Sequence, residues 1–498
     1  MTTRVTTLMI TLMITQVDNN DEVMGRAGGH LRIVRTICLG LLLALWCHQP
    51  VRAQSETDLA ALRGEGLDLL LRYLRIDTTN PPGNEVAAAR FFADICQREG
   101  IEHRLFESAP GRGIIWARLA GDGSRRPLIL LNHLDVVPHS PEFWSIPAFG
   151  GQARSGFIYG RGALDMKSLA IAQFVSMLAL KRSKSRLARD VIFLGTADEE
   201  AGGELGAGWF VKNHPELLGD AEYLLNEGGG NVTTPDGRLV AVGLSPAEKS
   251  PAWLKLTAVA EPGHASVPRS DSAVNRLVRA LGRLMDYSPP LRLTRIVEQS
   301  FQSFAPILGE RDSARYAAFG ESLRDPSFVR AIEADPSTRA LLHNTISVTM
   351  LEAGRKVNVI PPLAVARLDT RLVPGQKLDQ WIAELASIIR DERITIEPFM
   401  AFEATESPLD TELAKRLHEA VGRRFPGVIV TYPVMAGFTD SHYFRRLGIK
   451  SYGFSPFFAP QSQLGTGYHG NDERIGEKAF SDGVEIFYQV LWSIVRAD

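Results

Sequence analysis

The chain has 498 residues, of which 45% are hydrophobic and 22% are charged, close to the average of soluble globular proteins. Its 55 lysines and arginines balance 57 aspartates and glutamates, so a formal net charge of −2 gives no sign of a nucleic-acid-binding surface. Three cysteines exclude a disulfide framework, and the length predicts about two to four domains.

The first 53 residues are predicted to be a leader. Arg32 and Arg35 precede an apolar run over residues 37–46, and Val51-Arg52-Ala53 offers small residues where a signal peptidase cleaves. The run is too short to span a bilayer, which needs about 20 apolar residues. We therefore expect translation to start at Met24, cleavage after Ala53, and a mature protein in the periplasm or outside the cell. An uncleaved anchor or a buried helix is the alternative.

From Ser55 to residue 249, helical patterns alternate with short apolar runs typical of buried strands. The predicted helices are Leu59–Leu74, Val86–Glu99 and Met166–Leu180, and the predicted strands are 113–119, 128–131, 191–195 and 223–225. This alternation predicts an α/β fold, with a mostly parallel sheet and helices on both faces. Cys96, the one cysteine left after cleavage, falls in the second helix and is expected to be a buried core thiol.

The pattern changes near residue 250. The predicted order is strand 253–260, helix 273–285, strands 345–350 and 364–373, helix 378–390 and strand 394–398. This is the split βαβ order. We therefore expect an α+β domain over residues 250–402, with a helical insertion at 290–342, placed between two parts of the α/β domain at 54–249 and 403–498.

Three of the predicted buried strands end in residues that can bind metals. These residues are His133 and Asp135, then Asp198, Glu199 and Glu200, and then Glu227. In open α/β sheets, ligands bind beyond the carboxyl ends of the strands. Asp165 ends a glycine-rich stretch at the start of a predicted helix. Clustered carboxylates raise one another's pKa, and a divalent ion removes that conflict. Imidazole with carboxylate suits Zn²⁺ and related ions.

Each of these features has a simpler explanation when it is taken alone. Asp165 is typical of a helix N-cap, and the acidic run 198–200 is typical of a solvated turn. His133 could be a hydrogen-bonded structural histidine, and His264, in Pro-Gly-His-Ala-Ser, a turn residue. The metal hypothesis rests on their occurring together, in this order and at this spacing.

Taken together, these motifs resemble the M20 metallopeptidases, a family of aminoacylases, carboxypeptidases, dipeptidases and N-acyl amino acid deacylases. The resemblance runs from about residue 60 to 495. Its motifs are His133-Leu-Asp135, Gly160-Arg-Gly-Ala-Leu-Asp165-Met-Lys, Asp198-Glu-Glu-Ala-Gly-Gly, Asn226-Glu-Gly-Gly, Gly263-His-Ala-Ser, Asn358-Val-Ile-Pro and His469-Gly-Asn-Asp-Glu. Glu227 and the segment 290–342 are most similar to the subgroup of Gly-X carboxypeptidases and secreted N-fatty-acyl amino acid hydrolases.

The resemblance implies a catalytic domain that holds two divalent ions, most commonly zinc, and an inserted lid domain that often dimerises. Asp165 would bridge the two ions. His133 and Glu227 would complete one site, and Glu200 and His469 would complete the other. From the charge balance we expect no nucleic-acid partner. From the short apolar run we expect no stable membrane span after the leader is removed.

The resemblance also implies roles for residues around the ions. Asp135 would accept the second imidazole N–H of the metal ligand next to it and fix the ring orientation. Glu199 would be the general base. His264 of the lid would polarise the scissile carbonyl, either in its own subunit or in a partner subunit.

A bound substrate would meet Arg371 and Asn358, which the resemblance assigns to its carboxylate or oxyanion. Arg355 and Arg367 lie near enough in sequence to be alternatives to Arg371. The predicted function is hydrolysis of a C-terminal peptide bond or an N-acyl amide, with release of a free amino acid. An esterase has no support, since Gly-x-Ser-x-Gly and His-Glu-x-x-His are absent. The alternative of another class is a catalytically inactive extracytoplasmic binding protein with the same fold.

Overall fold

The computed structural model describes residues 56–458 and 467–497. The predicted leader, with its start at Met24 and its cleavage site after Ala53, lies outside the described residues. Within the described ranges no helix is both long and apolar enough to cross a membrane.

The regular elements follow one another along the chain with short connections. The α-helices are α1 (Glu56–Tyr73), α2 (Glu85–Glu99), α3 (Lys167–Ser183), α4 (Trp209–Asn213), α5 (Ala273–Asp286), α6 (Arg295–Phe304), α7 (Glu310–Ala317), α8 (Phe319–Ser322), α9 (Pro326–Glu333), α10 (Pro336–Leu342), α11 (Leu378–Ile389), α12 (Glu412–Arg424), α13 (Ser441–Arg445) and α14 (Glu477–Val495).

The strands fall into one large sheet, one lid sheet and several short pairs. They are β1 (Glu102–Glu107), β2 (Gly113–Leu119), β3 (Leu128–His133), β4 (Gln152–Arg154), β5 (Phe157–Tyr159), β6 (Val191–Thr196), β7 (Tyr223–Asn226), β8 (Val232–Thr233), β9 (Leu239–Gly243), β10 (Ala247–Glu248), β11 (Ser250–Val259), β12 (Gly263–His264), β13 (Thr345–Ala353), β14 (Val359–Ile360), β15 (Leu363–Leu372), β16 (Ile394–Ala401), β17 (Ile429–Thr431), β18 (Val434–Met435), β19 (Lys450–Gly453) and β20 (Arg474–Gly476).

The large sheet has the order β1-β2-β6-β3-β7-β19. Strands β6, β3, β7 and β19 are parallel, whereas β1 and β2 pair antiparallel at one edge. Every residue of β3, β6 and β7 is buried. Parallel strands covered on both faces are continuous apolar runs, which explains why the sequence showed no alternation here.

Helices cover both faces of this sheet. One face packs against α1, α2, α3 and α14 in the largest hydrophobic cluster, and the other packs against α4 and α13. The predicted α/β architecture is therefore confirmed. Cys96 lies in the larger cluster as a buried free thiol, as predicted, and burial raises its pKa to about 12.

The lid sheet has the order β13-β15-β11-β16, with all neighbours antiparallel. With α5 and α11 between its strands in the chain, it has the split βαβ connectivity that the sequence predicted. Along β15 buried residues alternate with more accessible ones, because only one face packs on α5 and α11.

The segment 290–342 is helical, as the sequence predicted, whereas strand β1 was not predicted. Residues 290–342 form five short helices, α6 to α10, around a core of their own that also takes in Ala247 and Val434 from outside the segment. Strand β1, in which no residue is buried, gave no apolar signal. This edge strand is therefore stabilised by its hydrogen bonds to β2 and by Phe106, which packs against Phe210.

Candidate metal centre and active site

The carboxyl ends of β3, β6 and β7 meet at one edge of the large sheet. His133 is the last residue of β3, Glu200 comes four residues after β6, and Glu227 follows β7 directly. Asp165 precedes α3 but does not cap it, since the N-cap is Met166 and no side chain satisfies the cap. The N-cap explanation of Asp165 is therefore wrong.

Five side chains converge there as two triads that share Asp165. In each triad the ligand atoms lie within 4.8 Å of one another. In the first, His133 Nε2 lies 3.1 Å from Asp165 Oδ1 and 3.8 Å from Glu227 Oε1. In the second, His469 Nε2 lies 3.2 Å from Asp165 Oδ2 and 3.3 Å from Glu200 Oε1. Because each Asp165 oxygen faces a different histidine, this carboxylate is placed to bridge two ions.

The charges of the two triads are not balanced by basic side chains. Among the described residues, no lysine or arginine forms an ion pair with Asp165, Glu200 or Glu227, whose ion-pair contacts are His133 and His469. Two imidazoles and three carboxylates are a donor set that Zn²⁺ and related ions accept. The residues therefore fit a pair of divalent ions.

Burial and mutual repulsion perturb the titration of these groups. Burial and then the charge of Asp165 raise the pKa of Glu200 and, still further, that of Glu227. Burial also acts to raise the pKa of Asp165, but hydrogen bonds with His133 and His469 outweigh it and hold the pKa below its usual range.

Asp135 contacts His133 through its backbone carbonyl and binds the loop after β6 through its carboxylate. His133 Nδ1 lies 3.0 Å from the carbonyl oxygen of Asp135 and 3.5 Å from its Oδ1. The carboxylate accepts the backbone N–H groups of Glu199 and Glu200 at 3.1 Å each, and Asn80 Nδ2 at 2.8 Å. The ring contact expected from the sequence is therefore made most closely by the main chain, while the carboxylate fixes the loop after β6.

Glu199 is buried beside this cluster, in contrast to the solvated turn that the acidic run alone favours. Burial, followed by the charge of Glu227, raises the pKa of Glu199 well above its usual range. A carboxyl group with a raised pKa is suited to take up and release a proton near neutral pH.

The three residues expected from the lid make their hydrogen bonds within the lid domain. His264 is exposed on β12, where its Nδ1 lies 2.7 Å from Ser266 Oγ. Asn358, also exposed, accepts the backbone N–H of Ala265. Arg371 donates from Nε and Nη2 to the Asp369 carboxylate at 2.6 and 2.8 Å. Within the described ranges, neither a hydrogen bond nor an ion pair joins these three residues to the triads.

Comparison with known proteins identifies the family of this chain. Residues 129–493 match the family described as "Peptidase family M20/M25/M40". The chain belongs to this family. The N-fatty-acyl-amino acid synthase/hydrolase PM20D1 of Xenopus tropicalis is 32% identical over 411 residues, covering 81% of this chain and 78% of the relative. Human aminoacylase-1 is 28% identical, covering 85% and 93%.

A solved structure agrees on the fold. An M20 family metallo-carboxypeptidase from Sulfolobus solfataricus superposes with a TM-score of 0.66 at 19% identity, covering 86% of this chain and 99% of that one. As an M20 family member related to aminoacylases and carboxypeptidases, this chain is a hydrolase of peptide or linear amide bonds. The alternative of an inactive binding protein is not favoured.

The structure places a further acid, Asp440, beside the site of this M20 chain. The sequence motifs did not indicate it. Asp440 is buried at the start of α13, where it accepts a hydrogen bond from Thr196 Oγ1 at 2.9 Å, and burial raises its pKa to about 7. Gly203 makes room for it, because a Cβ there would lie 2.1 Å from Asp440 Oδ1 and φ is +74°. An acid just before a short helix has the pattern of a cap, so the sequence held no signal for this placement.

Proposed function

We propose that the protein is a secreted two-metal amidohydrolase that cleaves a C-terminal peptide bond or an N-acyl amide and releases a free amino acid. The observation that supports this best is the pair of triads sharing Asp165 at the carboxyl edge of the sheet. Secretion is supported by the leader pattern of residues 1–53.

The proposed ligands are His133 and Glu227 for one ion and Glu200 and His469 for the other, with Asp165 between them. Zn²⁺ is the proposed metal because imidazole and carboxylate ligands suit it. Two such ions, when bound, supply Lewis acidity to the amide oxygen and lower the pKa of water.

Glu199 is the proposed general base. Its carboxylate takes a proton from the attacking water as the water oxygen bonds to the amide carbon. It then delivers that proton to the amine nitrogen as the C–N bond breaks. Asp135, bound to the backbone N–H of Glu199, holds the base at a fixed position.

His264 is proposed to act in the site of a second subunit. It is exposed on β12, which pairs with β14, and Val357 and Val359 on that side of the pair are also exposed. In a dimer through the lid domain, this strand pair would reach the partner's substrate and His264 would polarise the carbonyl being attacked. Asn358, directly before β14, would then stand next to the oxyanion.

Arg371 is proposed to receive the substrate carboxylate. Its Nε and Nη2 are bound to Asp369, and its guanidinium lies over Phe438 at 5.0 Å, so an incoming carboxylate would have to share the group with Asp369. Arg371→Ala is expected to impair free acids much more than amidated analogues. Equal cleavage of acids and amides by the natural enzyme would contradict this role.

An apolar wall favours an acyl amide over a polar peptide. Phe402 and Trp253 lie 5.4 and 6.3 Å from Phe438, measured between ring centroids. Met400 lies next to the loop after β6, with its Cγ 3.6 Å from the position of a Cβ on Gly202. We propose that these partly buried side chains contact an apolar acyl chain, beside the Arg371 guanidinium that lies over Phe438.

The experiment compares purified enzyme on dipeptides and on N-acyl amino acids of increasing chain length. Each buried CH₂ contributes about 0.8 kcal/mol, so kcat/KM should rise by up to about fourfold per added CH₂. Phe438→Ala should flatten this rise, whereas Leu351→Ala, on the exposed side of β13, should not. Preference for dipeptides, with no chain-length dependence, would contradict the acyl assignment.

A further inference from the structure

Glu473 is a fully buried acid whose carboxylate is saturated with donors. Its Oε2 accepts Arg161 Nη1 at 2.5 Å and the Gly162 N–H at 3.0 Å. Its Oε1 accepts the N–H groups of Leu164 at 2.7 Å and Asp165 at 3.2 Å. Three of these four donors belong to the backbone of the short loop that carries Asp165.

The same residue is tied to the segment of the second histidine. Glu473 lies four positions after His469, and its carbonyl oxygen accepts the Gly160 N–H at 3.0 Å. The following strand, β20, pairs with β5. Glu473 therefore connects the loop of Asp165, through its side chain, to the segment of His469, whose Nε2 lies 3.2 Å from Asp165 Oδ2.

A contribution to stability alone explains this arrangement poorly. A buried arginine–carboxylate pair seldom stabilises a fold more than apolar residues of the same volume would. Buried backbone N–H groups do need acceptors, but a regular element supplies them from its own carbonyls. Here one charged side chain binds three N–H groups of a single short loop, including that of the candidate metal ligand Asp165.

The other side of the site is built in the same way. The Asp135 carboxylate accepts the N–H groups of Glu199 and Glu200, and Asn80 joins it to the buried Arg112 through a 2.7 Å hydrogen bond. The loop of Asp165 and the loop of Glu200 are thus each held by one buried carboxylate linked to one buried arginine.

We propose that Glu473, neutralised by Arg161, is a positioning residue that sets the distance between Asp165 and His469 and so tunes the metal site formed with Glu200. This inference rests on the proposed metal centre. Outer partners of metal ligands typically change metal affinity by about 10–100-fold when they are removed.

The test measures metal binding apart from activity. Wild type, Glu473→Gln and Glu473→Asp are stripped with a chelator and titrated with Zn²⁺ against a competing indicator, and then with Co²⁺, whose absorption reports ligand geometry. We expect Glu473→Gln to bind one of two ions about 10–100-fold more weakly with an altered Co²⁺ spectrum. Glu473→Asp keeps the charge and should lose less affinity for that ion than Glu473→Gln. It is the variant to test if Glu473→Gln does not fold.

The matched control is Asp391→Asn. Asp391 pairs with the buried Arg276 in the lid domain, far along the chain from the metal ligands, so this variant also breaks an ion pair, here a partly buried one. It should keep wild-type affinity for both ions. Unchanged affinity in Glu473→Gln, or an equal loss in Asp391→Asn, would overturn the inference. Fewer than two ions in wild type would instead contradict the proposed function.

Discussion

Exchanging the adjacent acids Glu199 and Glu200 for glutamine, one at a time, separates a base from a ligand. The Asp135 carboxylate binds the backbone N–H groups of both residues, so either substitution changes a side chain on a loop that stays fixed. Glu200 Oε1 lies 3.3 Å from His469 Nε2 within a triad, whereas Glu199 belongs to neither triad. Glutamine keeps the size of the side chain and removes its basic oxygen.

The two substitutions are expected to change different quantities, kcat in one variant and metal content in the other. General acid–base help is worth about 10²–10⁴-fold, so Glu199→Gln should lower kcat by about that factor while the metal content stays near two per chain. This corresponds to about 3–5 kcal/mol of transition-state stabilisation. Glu200→Gln should lose one ion, because a neutral amide is a far weaker ligand than a carboxylate.

The assay pairs metal analysis with kcat for each variant. Glu204→Gln, an exposed acid a few residues further along, is the control and should match wild type in both measurements. Loss of metal in Glu199→Gln together with full metal in Glu200→Gln would show that the two roles are reversed. Unchanged kcat in Glu199→Gln would remove it from the mechanism.

Three further predictions address the metals, the lid and the buried charges. Chelation of the active enzyme should abolish hydrolysis and Zn²⁺ should restore it, and elemental analysis showing less than one ion per chain would contradict the metal centre. If His264 acts across a dimer, mixing inactive Glu199→Gln and His264→Ala subunits in equal amounts should recover about a quarter of wild-type activity, because half of the dimers then hold one intact site. No recovery, despite subunit exchange seen by native mass spectrometry, would place His264 in its own subunit or outside catalysis. Burial lowers the pKa of Lys249 to about 7. Because the unfolded state then binds more protons between about pH 7 and 10, the free energy of unfolding should rise with pH in this window more steeply in wild type than in Lys249→Met.

The strands of the catalytic domain, and most of the candidate metal ligands that follow them, were predictable because the physical signal was local. Apolar runs too short for helices gave β3, β6 and β7, and the acids and histidine that follow them share one edge in any parallel sheet. The shared family motifs then ordered these groups into two triads. His469 could be assigned only through that resemblance, since nothing in its own segment indicates a strand end.

Other features depend on contacts that a sequence does not record. Glu473 is the last residue of the His469-Gly-Asn-Asp-Glu motif, but its four hydrogen-bond donors come from a loop about 310 residues earlier in the chain. Asp440 occupies space that is free only because Gly203 has no side chain. The position of Arg371 was expected at the substrate, and the structure pairs it with Asp369, two residues away on its own strand.

The order of the ligands along the chain has a consequence for biosynthesis. His133, Asp165 and Glu227 all precede the lid domain, so a growing chain carries one complete triad before the lid has been made. The second triad must wait for His469, which follows β19, the edge strand that completes the large sheet beside β7. In the proposed metal centre, a chain not yet extended to His469 would therefore hold at most one ion, and hydrolysis would require the second triad as well.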